Sequence, residues 1–280
     1  MVFWPLTLGL SVLAAGLFVH RRDLRLSAIA KVFIAAPLAA FAGEHFTIAA
    51  NIAELVPQWL PARLFIAYFV GVAELAAAVS LVAGRATRWS TLLLAIMFGL
   101  FVLLMDLPAA IETPGNRLFW ILAVRETSFA MGALALFNRQ ARSSRLATLA
   151  RWWMGLAILY YGLDHLLHPE LSPGVPNSKP TSSWVPLPLI ASSLTGALLI
   201  ACGGGMLVRG SARIAAHVAG ALLLALTVVL YGPDLFLAHT SSERLGAINF
   251  IFDTLLFSGV LLAAAPEALD SAEAAARLPR

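Results

Sequence analysis

The chain has 280 residues, of which 60% are hydrophobic and only 12% charged, and its mean hydropathy is +0.85. A soluble globule has roughly 45–50% apolar and about 25% charged residues, so this composition excludes a water-soluble domain and predicts an integral membrane protein. The formal charge of +4 comes from basic residues grouped in alternate loops, a pattern that indicates membrane insertion and excludes a nucleic-acid-binding surface.

Nine apolar segments follow one another along the chain. A transmembrane helix needs about 20 mostly apolar residues, so we predict an all-α, polytopic membrane protein of about nine spans. The first segment lacks a basic leader and its arginines follow it, so we expect it to be a span and not a signal peptide. The predicted spans are residues 2–19, 26–46, 63–83, 89–107, 118–138, 145–167, 188–208, 212–235 and 244–265.

The loops between these spans separate into two sides by charge. Four basic residues lie on one side: Arg63, Arg117, Lys179 and Arg244. Fourteen lie on the other, which the positive-inside rule makes cytoplasmic: Arg21, Arg22, Arg25, Lys31, Arg85, Arg88, Arg139, Arg142, Arg145, Arg151, Arg209, Arg213, Arg277 and Arg280. We therefore expect a multi-pass protein of the cell (inner) membrane, with an external N-terminus and a cytoplasmic C-terminus.

The two halves of the chain repeat one another. The offset is 120 residues for Glu44/Asp164 and His45/His165, 125 for Trp59/Trp184, Gly71/Gly196 and Pro108/Pro233, and 127 for Arg117/Arg244 and Glu126/Asp253. Each repeat holds four spans, an even number, so both units have the same orientation in the membrane. We predict an extra N-terminal helix (1–22), two tandem parallel four-helix bundles (23–140 and 141–265) packed through small residues near Gly71, Gly99, Gly196 and 203–205, and a cytoplasmic tail (266–280).

Several segments resemble the DoxX-like membrane proteins. They are AGEHF at the end of the first repeated helix, the loop LVPQWLP, and the helix GVAELAAAVSLVAGRATR, with diverged copies in YGLDHLLHP and SSWVPLP. The resemblance implies four-helix bundles, and some family members are linked to thiosulfate:quinone oxidoreductase or to redox-stress membrane complexes. It implies a quinone or a small redox substrate as the ligand, bound between the bundles, and a redox protein as a partner, beside the lipid bilayer. The second copy departs from the pattern with Leu199 in place of Glu74.

Ionisable side chains inside spans are costly and mark candidate sites. Two acid–histidine pairs, Glu44–His45 and Asp164–His165, close equivalent spans at their external ends. They either anchor those ends in the headgroup region or meet at the pseudo-twofold axis, where they would bind a quinone and shuttle its proton, or hold a metal ion. His165 and His168 share a helix face if the helix extends to Pro169.

A second group of charged residues lies deeper. Glu74 is at the middle of its span, and we expect it to pair with Arg125. Because adjacent helical residues point about 100° apart, we expect Arg125 and Glu126 to face different neighbours. Glu126 and its repeat equivalent Asp253 lie at the same depth. The alternatives are a buried network that fixes helix packing, or the lining of an externally accessible cavity.

External cations complete the candidate site. Arg117 and Arg244 begin equivalent spans near Arg63, Lys179 and His239, and we expect them to cover a cavity whose floor is Glu74. The proline-rich loops 55–61 and 169–188 are candidate lids. The single cysteine, Cys202, lies in an apolar segment and is expected to be a small buried hydrophobe, because one thiol cannot form an intramolecular disulfide.

The leading functional prediction is a quinone-binding or redox-associated membrane subunit. In it, Glu74 accepts protons, Arg125 and Glu126 act beside it, and His45 and His165 carry protons externally. Glu44, Asp164, His168, Arg117, Arg244 and Asp253 are the candidate cofactor-binding residues. The alternatives are a proton-coupled or small-solute transporter and a non-catalytic scaffold. No metal site is predicted, and whether the protein is an enzyme is left open.

Overall fold

The computed structural model describes residues 3–22 and 26–266, and within them the chain is helical, with no strand beyond an isolated bridge between Leu171 and Pro180. Arg25 and the predicted tail beyond residue 266, including Arg277 and Arg280, lie outside the described residues. The helices are α1 (Trp4–Val19), α2 (Leu26–Thr47), α3 (Ala49–Leu55), α4 (Arg63–Ala83), α5 (Thr87–Phe101), α6 (Leu107–Glu112), α7 (Arg117–Ala141), α8 (Ser144–Leu167), α9 (Pro188–Leu207), α10 (Ala212–Leu226), α11 (Gly232–Leu237) and α12 (Ser241–Ala264).

Seven helical segments within the described residues are long and apolar enough to cross a membrane, so the chain is a multi-pass membrane protein. They are residues 28–47, 63–83, 87–112, 117–141, 188–207, 212–237 and 241–264. The α1 helix is apolar but has only 16 residues, and α8 carries Arg145, Arg151 and Asp164 and is not among the seven. Large apolar side chains cover the outer faces, as lipid contact requires: Phe65 is 67% exposed and Trp89 64% exposed.

Two helices change from α to π geometry at corresponding places. The α5 helix continues through a π segment (Val102–Asp106) into α6, and α10 continues through a second (Thr227–Tyr231) into α11. Pro108 and Pro233 follow these segments. Since proline cannot donate an i to i−4 hydrogen bond and its ring crowds that carbonyl, a wider turn before it accommodates the ring while the helix continues.

The helix contacts follow the same correspondence. The α2 helix packs on α4, α4 on α5, and α5 on α7, while α8 packs on α9, α9 on α10, and α10 on α12. Between these two sets, α2 contacts α12, α7 contacts α8, and α7 contacts α12. The most buried span is α12, whereas the α5 span is largely exposed on its outer side.

Two of the glycines named above lie at close contacts between helices. A Cβ added at Gly71 would lie 2.7 Å from the His45 Cβ, and one added at Gly196 would lie 2.8 Å from the His165 Cβ. The expectation of close packing is wrong at Gly99 and Gly204, where an added Cβ would meet no atom within 4 Å. These two glycines face open space and not a neighbouring helix. Cys202 is buried and has a free thiol.

Candidate functional site

A cavity of about 670 Å³ lies within the first set of helices. Its walls come from the end of α2, the start of α4, the π segment with its flanking helices, and the first half of α7. Leu55, Val56, Pro57 and Leu60 close one side, so the proline-rich loop 55–61 lies against the cavity. Asn249 and Asp253 reach it from α12.

Most of the lining is apolar, and it includes six phenylalanines. Among them, the rings of Phe98 and Phe129 lie edge to face, with centroids 5.5 Å apart. Ligand pockets in proteins commonly combine such walls with a few convergent polar groups, and this volume suits a small molecule. The polar lining residues are Glu44, His45, Asp106, Arg125, Glu126, Asn249 and Asp253.

Arg125 is the centre of a buried ion cluster. Its Nε and Nη2 donate to Glu126 Oε1 at 3.1 and 2.7 Å, and its Nη1 donates to Asp253 Oδ2 at 2.9 Å. The structure therefore brings together the two acids that the repeat matched, one from α7 and one from α12. Two expectations are wrong: Arg125 does not pair with Glu74, and it does not face away from Glu126. The long arginine side chain folds back and spans the 100° between adjacent positions.

Glu44 and His45 both line the cavity but have different partners. Asn249 Nδ2 donates to Glu44 Oε2 at 3.1 Å, which ties α2 to α12. His45 Nδ1 lies 2.7 Å from the Ala67 carbonyl oxygen, so that nitrogen carries the proton and Nε2 is left as an acceptor. His45 Nε2 is 3.9 Å from Glu74 Oε2. Glu74 is therefore behind His45, 3% exposed, and does not line the cavity itself.

Asp106 is a site residue that sequence reasoning missed. It ends the π segment of α5 and lines the cavity. It lies near the end of a predicted span, two residues before the repeated Pro108. An acid at such a position is the sequence feature that could have identified Asp106 as a candidate site residue. The equivalent position of the second π segment holds Tyr231, which is fully buried.

The second set of helices contains a loop where the first contains the cavity. Ser172, Val175 and Asn177 are each at most 1% exposed. The Gly174 N–H donates to His165 Nε2 at 3.0 Å, and the Tyr231 hydroxyl donates to the Pro173 carbonyl at 3.2 Å. We call residues 172–177 the plug. Its insertion corrects the expectation that His165 is an external proton carrier, because this ring is fully buried and both of its nitrogens are bonded.

Asp164 is hydrogen-bonded to the plug. Its Oδ2 accepts from Arg117 Nη1 at 2.6 Å and from Asn177 Nδ2 at 2.9 Å. The two acid–histidine pairs do not meet at an axis, since His45 packs on Gly71 and His165 on Gly196, each within its own set of helices. A shared face for His165 and His168 required a helix that continues to Pro169. This condition is not met, because α8 ends at Leu167 and the His168 ring lies beside Glu170.

The expected cationic cover of the cavity is absent from its lining. Arg117 bonds to Asp164, and Lys179 bonds to Asp234, which also accepts from Ser182 and Trp184. Arg244 donates to the Ala238 carbonyl at 3.3 Å. Arg63 lines a separate surface depression beside Glu54. These cations fix loops and helix ends instead.

No group of three or more His, Cys, Asp and Glu side chains in residues 3–22 and 26–266 is arranged to hold a metal ion. The carboxylates instead point individually into or beside the cavity. The polar side chains of the cavity can accept hydrogen bonds and carry charge, and His45 also supplies an imidazole nitrogen.

A family model matches this part of the chain. The family is described as "Domain of unknown function (DUF8561)", and the match covers residues 34–137. That range includes Glu44, His45, Glu74, Asp106 and the Arg125–Glu126 pair, and it ends before the plug. Comparison with curated proteins gave no match, and comparison with solved structures gave none either.

Proposed function

We propose that this chain is a membrane protein that binds a small, largely apolar, hydrogen-bond-donating molecule in the cavity of its first unit. The architecture is nine spans in two like-oriented four-helix units (residues 23–140 and 141–265) after one extra helix, with the N-terminus external. The coincident π segments and the matched helix contacts support this repeat.

One observation carries the binding proposal. Buried carboxyl oxygens without a hydrogen-bond partner lie at the cavity, namely Glu44 Oε1, Asp106 Oδ2 and Glu126 Oε2. Buried polar atoms are nearly always paired, so unpaired ones that line a cavity indicate a ligand that supplies donors. The donors of Arg125 and Asn249 already bond to carboxylates, so the site offers acceptors.

A quinol is the redox form of this proposal, and the resemblance to DoxX-like proteins supports it. Its two hydroxyl groups donate hydrogen bonds, and its apolar tail suits the aromatic walls. On oxidation the two hydroxyl protons would pass to acceptors such as the Glu44 carboxylate and His45 Nε2, while the two electrons pass to a redox partner protein. Proton-coupled transport of a small solute is the alternative use of the same site.

The test is to identify what the protein retains from its native membrane. Protein purified into lipid nanodiscs is extracted with organic solvent, and the small molecules are identified by mass spectrometry. We expect the wild-type protein to retain one small molecule per chain. Leu104→Trp should lose it, because the larger side chain fills the cavity. Leu103→Trp should keep it, because Leu103 is 62% exposed on the outside of the same turn. Equal amounts of the retained molecule in both variants would contradict binding in this cavity.

A further inference from the structure

The cavity of the first unit holds more acids than bases. Glu44, Asp106, Glu126 and Asp253 line it, and Arg125 is its one guanidinium. That guanidinium is already bonded to Glu126 and Asp253. Four acids therefore share one cation in the lining, and Arg125 makes its hydrogen bonds to Glu126 and Asp253, whereas Glu44 and Asp106 each contribute an unpartnered oxygen.

The burial of these groups makes the imbalance significant. Glu44 and Glu126 are each only 8% exposed, yet one oxygen of each carboxyl has no partner. A buried carboxylate without a counter-charge is costly in a low-dielectric surrounding. A ligand with positive charge and hydrogen-bond donors offsets that cost, whereas a neutral acceptor such as a quinone carbonyl does not.

The walls are suited to the rest of such a ligand. The lining contains six phenylalanines, a side chain whose π system attracts ammonium groups and which also suits an apolar body. Anionic ligands are disfavoured because the basic residues of the neighbouring loops, Arg63, Arg117, Lys179 and Arg244, are absent from the lining.

We infer that this cavity is selective for an organic cation, an ammonium group carried on an aromatic or aliphatic body. The inference rests on the proposed function and names the ligand class for the same site. The ammonium group would donate to the unpartnered oxygen of Glu44 or of Asp106, and the apolar body would lie against the phenylalanines. Its source is either a free amine or the headgroup of a membrane lipid.

Isothermal titration calorimetry of the full chain in nanodiscs tests the charge requirement. The probe is benzylammonium, whose N–H groups can donate to the unpartnered oxygens, and its neutral control is benzyl alcohol, which donates a hydrogen bond but carries no charge. We expect the cation to bind at least about tenfold more tightly. Equal affinity for both would overturn the inference. Binding of a short-chain quinol but not of the cation would overturn it and keep the proposed function, whereas no binding of any probe would overturn both.

Variants test which carboxylate is required for cation binding. Glu44→Gln and Asp106→Asn should each weaken cation binding by about tenfold, while Glu112→Gln, an equal charge change at the exposed end of α6, should not. Thermal melting of each variant checks that it is folded, and Leu103→Trp, whose side chain lies outside the cavity, serves as a folded cavity-intact reference. Unchanged affinity in both cavity variants would overturn the inference.

The lipid of the nanodisc distinguishes the two sources. The titration is repeated in nanodiscs that contain phosphatidylethanolamine, whose headgroup carries a primary ammonium, and in a galactolipid, which carries none. Weaker apparent affinity in phosphatidylethanolamine supports the inference with the lipid headgroup as occupant. Equal affinity in both lipids supports it with a free amine as occupant.

Discussion

At the scale of single residues, Arg125 links α7 to α12 at the cavity. It bonds to Glu126 on its own helix and to Asp253 on α12, so one guanidinium neutralises two acids that belong to different units. In a low-dielectric interior, this arrangement holds only while all three groups are present. Removal of the arginine would leave two carboxylates close together with no counter-charge.

We therefore expect Arg125→Leu to lower the free energy of unfolding by about 3 kcal/mol, the usual effect of removing one partner from a buried ion pair. The triple variant Arg125→Leu, Glu126→Gln, Asp253→Asn should recover most of this loss, because no unpaired charge remains. Equilibrium unfolding in mixed micelles measures both. Arg85→Leu, at an exposed position between α4 and α5, is the control. A triple variant no more stable than Arg125→Leu would show that charge is not the cause.

At the scale of elements, the two sets of helices have corresponding contacts and π segments but differ in what those π segments position. In the first unit, the π segment ends in Asp106 and the loop between α2 and α4 lies beside an open cavity. In the second, the π segment ends in Tyr231, whose hydroxyl holds the plug through the Pro173 carbonyl. Leu199 likewise occupies the position of Glu74 and is fully buried. In the second set of helices, the plug and Leu199 therefore occupy places that correspond to the cavity and to Glu74 in the first.

The plug is anchored at Asp234, in the first turn of α11, which accepts hydrogen bonds from Lys179, Ser182 and Trp184. We expect Asp234→Ala to speed amide hydrogen exchange at Ser172 and Gly174 by at least about tenfold, because a hydrogen bond to a charged group contributes about 1.5–3 kcal/mol. Those two N–H groups donate to Lys179 O and His165 Nε2. Exchange followed by mass spectrometry measures the effect.

Glu112→Ala, at the end of α6 in the first unit, is the matched control for this variant and should leave exchange in residues 172–177 unchanged. If Asp234→Ala also leaves these amides protected, the buried contacts of Val175 hold the loop without the ion pair. That result would contradict the anchoring role of Asp234.

At the scale of the whole molecule, sequence alone predicted the helices well and the site in part. Runs of apolar residues bounded by Gly, Pro and charged residues set the helix ends, so α4 begins at Arg63 and ends at Ala83 as predicted. Glu44, His45, Arg125, Glu126 and Asp253 do line one cavity. Their pairing was wrong because it depends on side-chain reach, which a helical projection omits.

Two other features were beyond prediction for a physical reason. The π segment turns Asp106 toward the cavity, and a regular 3.6-residue period does not anticipate that rotation. The plug depends on a loop that inserts between helices, and proline-rich composition alone does not distinguish an inserted loop from an external one. Both are consequences of tertiary packing.

Membrane orientation is a property of the whole chain, and the charge distribution makes it testable. Cys202 is the sole cysteine of the sequence, so Cys202→Ala provides a background for single cysteines. With fourteen basic residues on one side and four on the other, we expect Gln58, Asn116 and Ser183 to be external and Arg85, Arg142 and Gly210 to be cytoplasmic.

In intact cells, a membrane-impermeant maleimide should label cysteines at positions 58, 116 and 183, and should label those at 85, 142 and 210 only after permeabilisation. All six should react in detergent, which controls for burial. Because positions 58 and 183 belong to corresponding loops of the two repeats, a result that places them on opposite sides would mean an odd number of spans between them. The two proposed units would then be inverted relative to one another. That result would overturn the proposed like orientation, which the matching contacts of α2 with α12 and of α8 with α7 support.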